Sequence, residues 1–270
     1  MSAPRPLPRL RACATCGATS FLRVAPVREH GEDGAPVPMA VRYVDRPRQL
    51  GPFARAVSCV GKKIVSVPHG TFTVLVCTGC GEARWYARDY EPAGDGDAEA
   101  LEAATIGACT DCGESRALRV PRMKTRGHGG EPSDLRVVRL PSRRWGFATT
   151  ASAGHFALFV CRGCARATFL AGDLHDVPDL AARAKAAPPC RRCTGTSRLQ
   201  VEPVDEDGAT LRVLYERVQH REVRVGRYAL AICTSCGLTD WTARDVAGLR
   251  PDLDAGVALV ETGGHEGPYR

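Results

Sequence analysis

The residues most capable of specific chemistry in this 270-residue chain are its 13 cysteines. Twelve of them form six pairs with two residues between the partners, a spacing that suits a tight turn holding both thiolates toward one metal ion. Six pairs supply three sites of four thiolates each. The paired residues are Cys13, Cys16, Cys77, Cys80, Cys109, Cys112, Cys161, Cys164, Cys190, Cys193, Cys233 and Cys236.

Zinc is the metal that three sites of this kind favour, and we expect three Zn²⁺ ions per chain in structural roles. Four thiolates leave no coordination position open for water or substrate, so such a site is not catalytic. A rubredoxin-like iron site has the same four ligands, and the sequence therefore leaves iron open. A thiol redox protein is a further alternative. However, redox motifs of this spacing normally occur once per domain at the start of a helix, whereas this chain has six pairs.

The chain contains three diverged copies of one unit, and each copy has two C-x-x-C pairs, which we call its first and second knuckle. Similar segments precede the second knuckles, at residues 70–77, 154–161 and 226–233. Five positions after the last cysteine of each copy comes an aromatic residue: Trp85, Phe169 or Trp241. Joining the two knuckles of one repeat gives three equivalent sites. We prefer this pairing to the alternative, in which knuckles of neighbouring repeats share a metal.

The segments around the second knuckles have the pattern of β-strands. Phe72, Val74 and Val76 recur at every second position, as do their counterparts in the other repeats, which predicts a strand with one buried face. The aromatic residue beyond the knuckle belongs to a second strand, so each second knuckle lies at the tip of a hairpin. The predicted fold is mainly β, with three tandem four-Cys zinc-ribbon units, built of β-hairpins and small antiparallel sheets, joined by short helices.

These units define the expected domain organisation. Residues 1–11 are expected to form a flexible tail. Zinc ribbon 1 with its linker helix is expected at 12–107, ribbon 2 with its linker helix at 108–188, and ribbon 3 with a C-terminal helix and tail at 189–270. The helices are expected from Ala-rich segments at 97–104 and 178–187, and from a similar segment that begins at 251. Units this small bury a modest core, so bound zinc would supply folding energy.

Each repeat resembles a family of short bacterial zinc-ribbon proteins described as nucleic-acid-binding. The resemblance is carried by the first knuckle with Phe21 after it, and by the second knuckle with Trp85 and Tyr86 after it, and it recurs in the third repeat from Tyr228 to Trp241. It implies a zinc-ribbon fold and the twelve paired cysteines as zinc ligands, but no individual nucleic-acid contact. The sequence departs from the pattern where Ala165 and Thr194 replace the glycine after a knuckle, and we expect less regular turns there.

Basic residues in the long inserts between the two knuckles are the candidate nucleic-acid contacts: Arg139, Arg143, Arg144, Trp145, Arg221 and Arg224. Arginine can bind phosphate and an interleaved aromatic ring can stack on bases, although a solvated strand face would have the same composition. The formal net charge is +7. A zinc ion held by four thiolates carries −2, so three loaded sites remove six charges and leave +1. Any basic surface is therefore local to the inserts.

From these features we expect a non-enzymatic, cytoplasmic zinc protein that acts as a binding module for nucleic acid or a nucleic-acid-associated complex. The alternative is a protein–protein adaptor or a subunit of a larger assembly. Neither an apolar signal-peptide segment nor a run long enough to cross a membrane occurs, and the sequence assigns no oligomeric state. The unpaired Cys59 is expected to be a buried small side chain; a reactive thiol beside Lys62 and Lys63 is the alternative.

Overall fold

The structure is a computed structural model that describes residues 10–30, 35–47, 64–88, 103–105, 107–126, 132–144, 147–177, 179–202, 211–218, 221–254 and 256–262. Cys59 and the Gly-rich segments at 31–34, 127–130 and 207–208 lie outside these ranges. The strands are β1 (Ser20–Val24), β2 (Arg28–His30), β3 (Pro36–Pro38), β4 (Ala40–Pro47), β5 (Ile64–Cys77), β6 (Glu82–Arg88), β7 (Ala103–Thr105), β8 (Arg116–Val120), β9 (Lys124–Arg126), β10 (Pro132–Asp134), β11 (Val138–Arg144), β12 (Phe147–Ala153), β13 (His155–Cys161), β14 (Arg166–Gly172), β15 (Ala184–Ala186), β16 (Ser197–Val201), β17 (Leu214–Val218), β18 (Arg221–Val225), β19 (Arg227–Cys233), β20 (Leu238–Arg244) and β21 (Val257–Glu261).

Helix is scarce in the described part of the chain. It consists of the single-turn α-helix α1 (Leu180–Arg183) and two 3₁₀ turns, at Leu174–Asp176 and Val246–Gly248. None of these is long and apolar enough to span a membrane. The mainly β architecture and its antiparallel pairing are as the alternating sequence pattern predicted.

Each repeat forms a three-stranded antiparallel unit. The first strand (β1, β8 or β16) follows the first knuckle and pairs with the middle strand (β5, β13 or β19). The middle strand leads into the second knuckle, after which the last strand (β6, β14 or β20) returns alongside it. In all three repeats the first strand is aligned so that the fifth residue after its knuckle lies opposite the first cysteine of the second knuckle. These register partners are Phe21 and Cys77, Ala117 and Cys161, and Arg198 and Cys233.

The three last strands pair with one another in a closed ring. Trp85 of β6 lies opposite Ala167 of β14, Phe169 of β14 opposite Thr239 of β20, and Trp241 of β20 opposite Ala83 of β6. Every last strand therefore uses one set of residues for the preceding repeat and another for the following repeat. Because of this ring, strands of all three repeats belong to one 13-stranded sheet.

The segments expected to hold linker helices contain strands that pair with the outer edges of the first strands. β7 adds to β8, β15 adds to β16, and β21 adds to β1, so each segment after one repeat pairs with the first strand of the next. The C-terminal segment completes the cycle by pairing with the N-terminal repeat. The prediction of short joining helices is not supported: the described ends of both Ala-rich segments are strands, because an unpaired strand edge favours an added strand over the intrinsic helix propensity. Only α1 remains helical within 178–187, and residues 97–102 lie outside the described chain.

A shared core fills the space inside the ring. Residues of all three repeats contribute to one buried apolar cluster, centred on the aromatic side chains of the last and middle strands. Six aromatic rings contact one another there: Phe72, Trp85, Phe156, Phe169, Tyr228 and Trp241. The three repeats thus share one aromatic core, while Phe21, Tyr86 and Phe159 belong to smaller clusters beside it.

The inserts between the knuckles form two-stranded hairpins at the end of the strands that lies away from the knuckles. The hairpins pair β2 with β3, β9 with β10, β11 with β12, and β17 with β18. β17 contacts β2 and β3, and β9 contacts β2 and β4, so inserts of all three repeats meet. The knuckles and the inserts consequently occupy opposite ends of each unit.

Candidate metal centres

Each repeat brings its four paired cysteines into one cluster, with every Sγ atom within 4.8 Å of the others. The clusters are Cys13, Cys16, Cys77 and Cys80; Cys109, Cys112, Cys161 and Cys164; and Cys190, Cys193, Cys233 and Cys236. This is the within-repeat grouping that the sequence favoured. All twelve cysteines are free of disulfides.

The sulfur–sulfur distances fit a tetrahedral metal site. Within each cluster, two Sγ pairs that join the first knuckle to the second are 3.5–3.7 Å apart. Four sulfurs about 2.3 Å from a zinc ion would be about 3.8 Å from one another, whereas a disulfide requires about 2.05 Å. The donor set therefore fits a closed tetrahedral site for zinc or for iron.

A common backbone turn forms all six knuckles. The amide after the second cysteine donates to the carbonyl of the first cysteine, at 2.8–2.9 Å in every case. The residue that donates this hydrogen bond has a left-handed φ between 60° and 80°. Those residues are Gly17, Gly81, Gly113, Ala165, Thr194 and Gly237. The expectation of less regular turns at Ala165 and Thr194 is wrong, since both keep the hydrogen bond and accept a conformation that costs a non-glycine residue about 1–2 kcal/mol.

Hydrogen bonds between the knuckles fix their relative position. The amide after the first cysteine of each second knuckle donates to a carbonyl at the start of the first strand: Thr78 to Ser20, Arg162 to Arg116 and Thr234 to Ser197, at 3.0–3.2 Å. These backbone contacts hold the two cysteine pairs of a cluster next to each other independently of a bound ion. Sequence and local backbone geometry thus preorganise the donors.

Small residues allow the two knuckles to approach. A side chain at Gly79 would meet Cys16 Sγ at 3.0 Å, and one at Gly163 would meet Cys112 Sγ at 3.0 Å. In the third repeat this position is Ser235, whose hydroxyl is accommodated because the opposing residue is Gly195. In the third repeat the glycine therefore follows the first knuckle and the larger residue lies inside the second knuckle, the reverse of the other two repeats, while the sulfur geometry is the same.

The thiols of a cluster differ in acidity. Burial raises the pKa of Cys80 and of Cys236 to about 12, while a hydrogen bond from Cys164 lowers the pKa of Cys109 to about 5. A cation that binds four thiolates must therefore displace protons from some of them, which makes its affinity depend on pH.

Buried charges surround the first two clusters. Beside the first, the Arg84 guanidinium donates to the carbonyls of Arg11 and Ala12 and to Glu82, and Glu82 accepts a hydrogen bond from Cys13 at 2.9 Å. Beside the second, Arg166 donates to both oxygens of Asp111 at 3.0 and 3.1 Å, and the Tyr86 hydroxyl donates to Asp111 at 2.6 Å.

Burial acts to raise the pKa of Asp111, but the charge of Arg166 and the Tyr86 hydrogen bond outweigh it, so that pKa lies below its ordinary value. Arg166 and Asp111 belong to the second repeat and Tyr86 to the first. The sequence analysis missed this interaction between repeats. The one signal available was a carboxylate inside a knuckle, at the second residue between the cysteines.

Two arginines, Arg191 and Arg192, lie inside the third repeat's first knuckle. The Arg192 amide donates to Cys190 Sγ at 3.5 Å, and its guanidinium donates to the Cys236 carbonyl at 3.4 Å. Arg191 instead pairs with Asp240 at 2.9 Å. This knuckle therefore carries two positive charges, of which that of Arg191 is paired with the Asp240 carboxylate.

The candidate nucleic-acid contacts cannot be placed as side chains. Trp145 lies outside the described residues, and of Arg139, Arg143, Arg144, Arg221 and Arg224 only the backbone is described. Their backbones belong to the hairpins β11–β12 and β17–β18, where Arg144 lies opposite Phe147 and Arg224 opposite Tyr215.

No protein-family model, no curated protein and no solved structure matches this chain.

Proposed function

We propose that this chain is a non-enzymatic protein whose three four-cysteine clusters each hold one structural Zn²⁺ ion. The observation that supports this is the preorganised tetrahedral set of four sulfurs in each repeat. Bound zinc would neutralise half of the thiolate charge and tie each repeat's first strand to its hairpin. Four protein ligands leave no position for a substrate, so the role of the metal is stability.

We further propose that the scaffold presents the inserts to nucleic acid or to a nucleic-acid-associated complex in the cytoplasm. Support comes from the polarity of the units, with metal knuckles at one end of the strands and insert hairpins at the other. Loaded knuckles carry −2 each, and the arginine-containing hairpins β11–β12 and β17–β18 lie away from them. The resemblance of each repeat to short nucleic-acid-binding zinc ribbons points the same way.

Metal analysis of the purified full chain tests the first proposal. We expect about three zinc ions per chain, no iron and no visible absorption band. Iron at comparable stoichiometry, with a coloured protein that cycles between two oxidation states, would favour the rubredoxin-like alternative instead. Pairwise substitution to serine at Cys190 and Cys193 should remove one zinc ion.

Salt-dependent binding to single- and double-stranded RNA and DNA tests the second proposal, because phosphate contacts weaken steeply as salt rises. Reversing the charge of Arg139, Arg143 and Arg144 to Glu should reduce affinity by about tenfold or more. The matched control reverses Lys185, Arg183 and Arg250, which are exposed on other elements. Equal loss in both variants would indicate a nonspecific charge effect and would remove this hairpin from the proposal.

The adaptor alternative predicts a different outcome. An adaptor would bind a protein partner with weak salt dependence and no nucleic acid. Capture of partners by the full chain, before and after nuclease treatment, separates the two functions. A protein that stays bound after nuclease treatment, and that a variant with a replaced insert does not capture, would favour the adaptor.

A further inference from the structure

A cavity of about 300 Å³ lies where the second repeat meets the third. Its floor is apolar and includes Ala117, Leu170 and Leu238. Leu170 and Leu238 are partners in the strand register that joins β14 to β20, so the cavity lies over the seam between the two repeats. This volume is at the lower end of the range of about 300–1,000 Å³ that is typical of small-molecule binding sites in proteins.

Comparison with the first repeat explains why this space is open. Counted from the knuckles, Ala117 corresponds to Phe21 and Leu170 to Tyr86, and both large rings are fully buried in the first repeat. The second repeat therefore has two smaller side chains at positions where the first repeat has aromatic rings.

The arginine of this part of the first repeat also has no counterpart. Arg84 lies with its guanidinium over the Phe21 ring and donates to the carbonyls of Arg11 and Ala12. In the second repeat Thr168 takes the place of Arg84, and the residues equivalent to Arg11 and Ala12 are Gly107 and Ala108. Thr168, Gly107 and Ala108 all line the cavity. The space that the Arg84 side chain fills in the first repeat is therefore part of the cavity in the second repeat.

The charge of the lining selects the kind of ligand. The cavity is lined by one carboxylate, Glu114, and by two cysteines of the second metal cluster, Cys109 and Cys161. It is also lined by four arginines: Arg116, Arg166, Arg191 and Arg192. Arg116, Arg166 and Arg191 pair with Glu114, Asp111 and Asp240. For Arg192, no carboxylate of the described chain lies within ion-pair distance. The second cluster, which carries −2 when loaded, offsets part of this positive charge, and Arg192 is the lining arginine that remains without a carboxylate of the described chain.

The junction between the first and second repeats differs from this one in its charged groups. There, the second residue inside the first knuckle is Asp111, and its carboxylate receives Arg166 and Tyr86. At the junction between the second and third repeats the equivalent residue is Arg192, so the sign of the charge is reversed. Leu170 and Leu238 stand in place of Tyr86 and Arg166, so the ion pair of the first junction has no counterpart here, and Arg192 lines the cavity beside two apolar side chains.

We propose that this cavity binds a small molecule that joins a phosphate or carboxylate group to an apolar body. The oxyanion pairs with Arg192, helped by the neighbouring Arg191, because guanidinium groups bind planar or tetrahedral oxyanions through paired N–H donors. The apolar body rests on Ala117, Leu170 and Leu238. This site is separate from the insert hairpins and does not depend on the proposed nucleic-acid binding.

Calorimetric titration of the zinc-loaded full chain tests the site with adenosine 5′-monophosphate, benzoate and inorganic phosphate, and with adenosine as the uncharged control. We expect saturable binding of at least one organic oxyanion and none of adenosine. Preference for the nucleotide would identify a phosphate ester as the ligand class, and preference for benzoate a carboxylate. Failure of both organic oxyanions to bind, or equal binding of adenosine, would overturn the proposal.

Two variants locate the site. Ala117→Phe introduces the first repeat's residue and fills the cavity without changing any charge, and Arg192→Gln removes the proposed anion partner. Each should weaken binding by about tenfold or more, whereas Arg183→Gln, on the exposed helix α1, should leave it unchanged. Zinc content and the melting temperature establish that each variant is folded. A folded Ala117→Phe protein that binds as the wild type does would place the ligand elsewhere and overturn the assignment.

Discussion

Trp85 and Trp241, which come from the first and third repeats, lie in contact with their ring centroids 4.8 Å apart. Phe169 of the second repeat contacts both, at 5.6 and 4.8 Å. These three residues occupy the same position of the repeat, five residues after the second knuckle. The repeats thus share a common centre, and the stability of each depends on the other two.

Trp241→Ala should destabilise the whole chain. Removing a fully buried aromatic ring costs about 3–5 kcal/mol, and here the lost contacts belong to all three repeats. Trp241→Phe is the matched control, because Phe169 already occupies the equivalent position, and it should cost far less. Chemical denaturation followed by tryptophan fluorescence and by circular dichroism measures both. Two separate transitions, one of them unaffected by Trp241→Ala, would show that the repeats fold independently.

Loss of one metal site should also be felt beyond its own repeat. In the double variant with Cys77→Ser and Cys80→Ser, we expect about one zinc ion fewer per chain and a lower midpoint for the entire unfolding transition. The reason is that β6, which follows this knuckle, pairs with strands of both other repeats. Zinc analysis and calorimetry provide the measurements. A second and third repeat that retain wild-type melting would argue against coupling through the ring.

Two glycines with the same backbone conformation should respond differently to substitution. Gly17 and Gly81 have φ of 75° and 76°. A methyl group on Gly17 meets nothing within 4 Å, so Gly17→Ala should cost only the left-handed penalty of about 1–2 kcal/mol. A methyl group on Gly81 would collide with the carbonyl oxygen of Ala243 in the third repeat, so Gly81→Ala should cost clearly more.

Urea denaturation of the two glycine variants makes the comparison directly, with zinc content measured in parallel. The Ala243 amide also donates to the Gly81 carbonyl at 2.7 Å, so the two backbones are in close contact at this point of the ring. Equal destabilisation by Gly17→Ala and Gly81→Ala would mean that this contact between the first and third repeats is not formed.

The C-terminal strand should be needed to close the ring. Truncation after Asp254 removes β21 and leaves the outer edge of β1 unpaired. It also removes Val257 and Val260, which are buried, and each buried valine contributes about 1.5–3 kcal/mol. Truncation after Thr262 keeps every described residue and serves as the control. Thermal unfolding of both proteins should show a lower melting temperature only for the shorter one.

The knuckles and the strands could be predicted from the sequence because their signals are local. Two residues between cysteines define a turn, and the alternation of Phe72, Val74 and Val76 indicates a strand. The prediction that only one face is buried is wrong, since Thr73 and Leu75 are buried as well. The three copies also supported one another, which made the within-repeat grouping of cysteines the simpler arrangement. The turns and strands depend on residues close together in the chain, whereas the grouping of cysteines depends on the repetition of the unit.

The closed ring could not be predicted, because no local pattern states which strand edges will meet. Segments 97–104 and 178–187 are rich in alanine, and intrinsic propensity favours helix there. In the folded chain β7 and β15 satisfy the free edges of β8 and β16 instead. Likewise, the Asp111 contact with Tyr86 depends on a junction between repeats that the sequence does not reveal.

The last prediction concerns that junction. Asp111→Asn leaves the Arg166 guanidinium buried without its anionic partner, and breaking a buried pair in this way costs about 3–5 kcal/mol. Tyr86→Phe removes one hydrogen-bond donor to the Asp111 carboxylate while both charges remain, so it should cost less, about 1.5–3 kcal/mol. Urea denaturation at neutral pH measures both, and zinc analysis establishes that the second cluster stays loaded. If Asp111→Asn proved no more destabilising than Tyr86→Phe, the buried ion pair between Asp111 and Arg166 would not be a main source of stability at this junction.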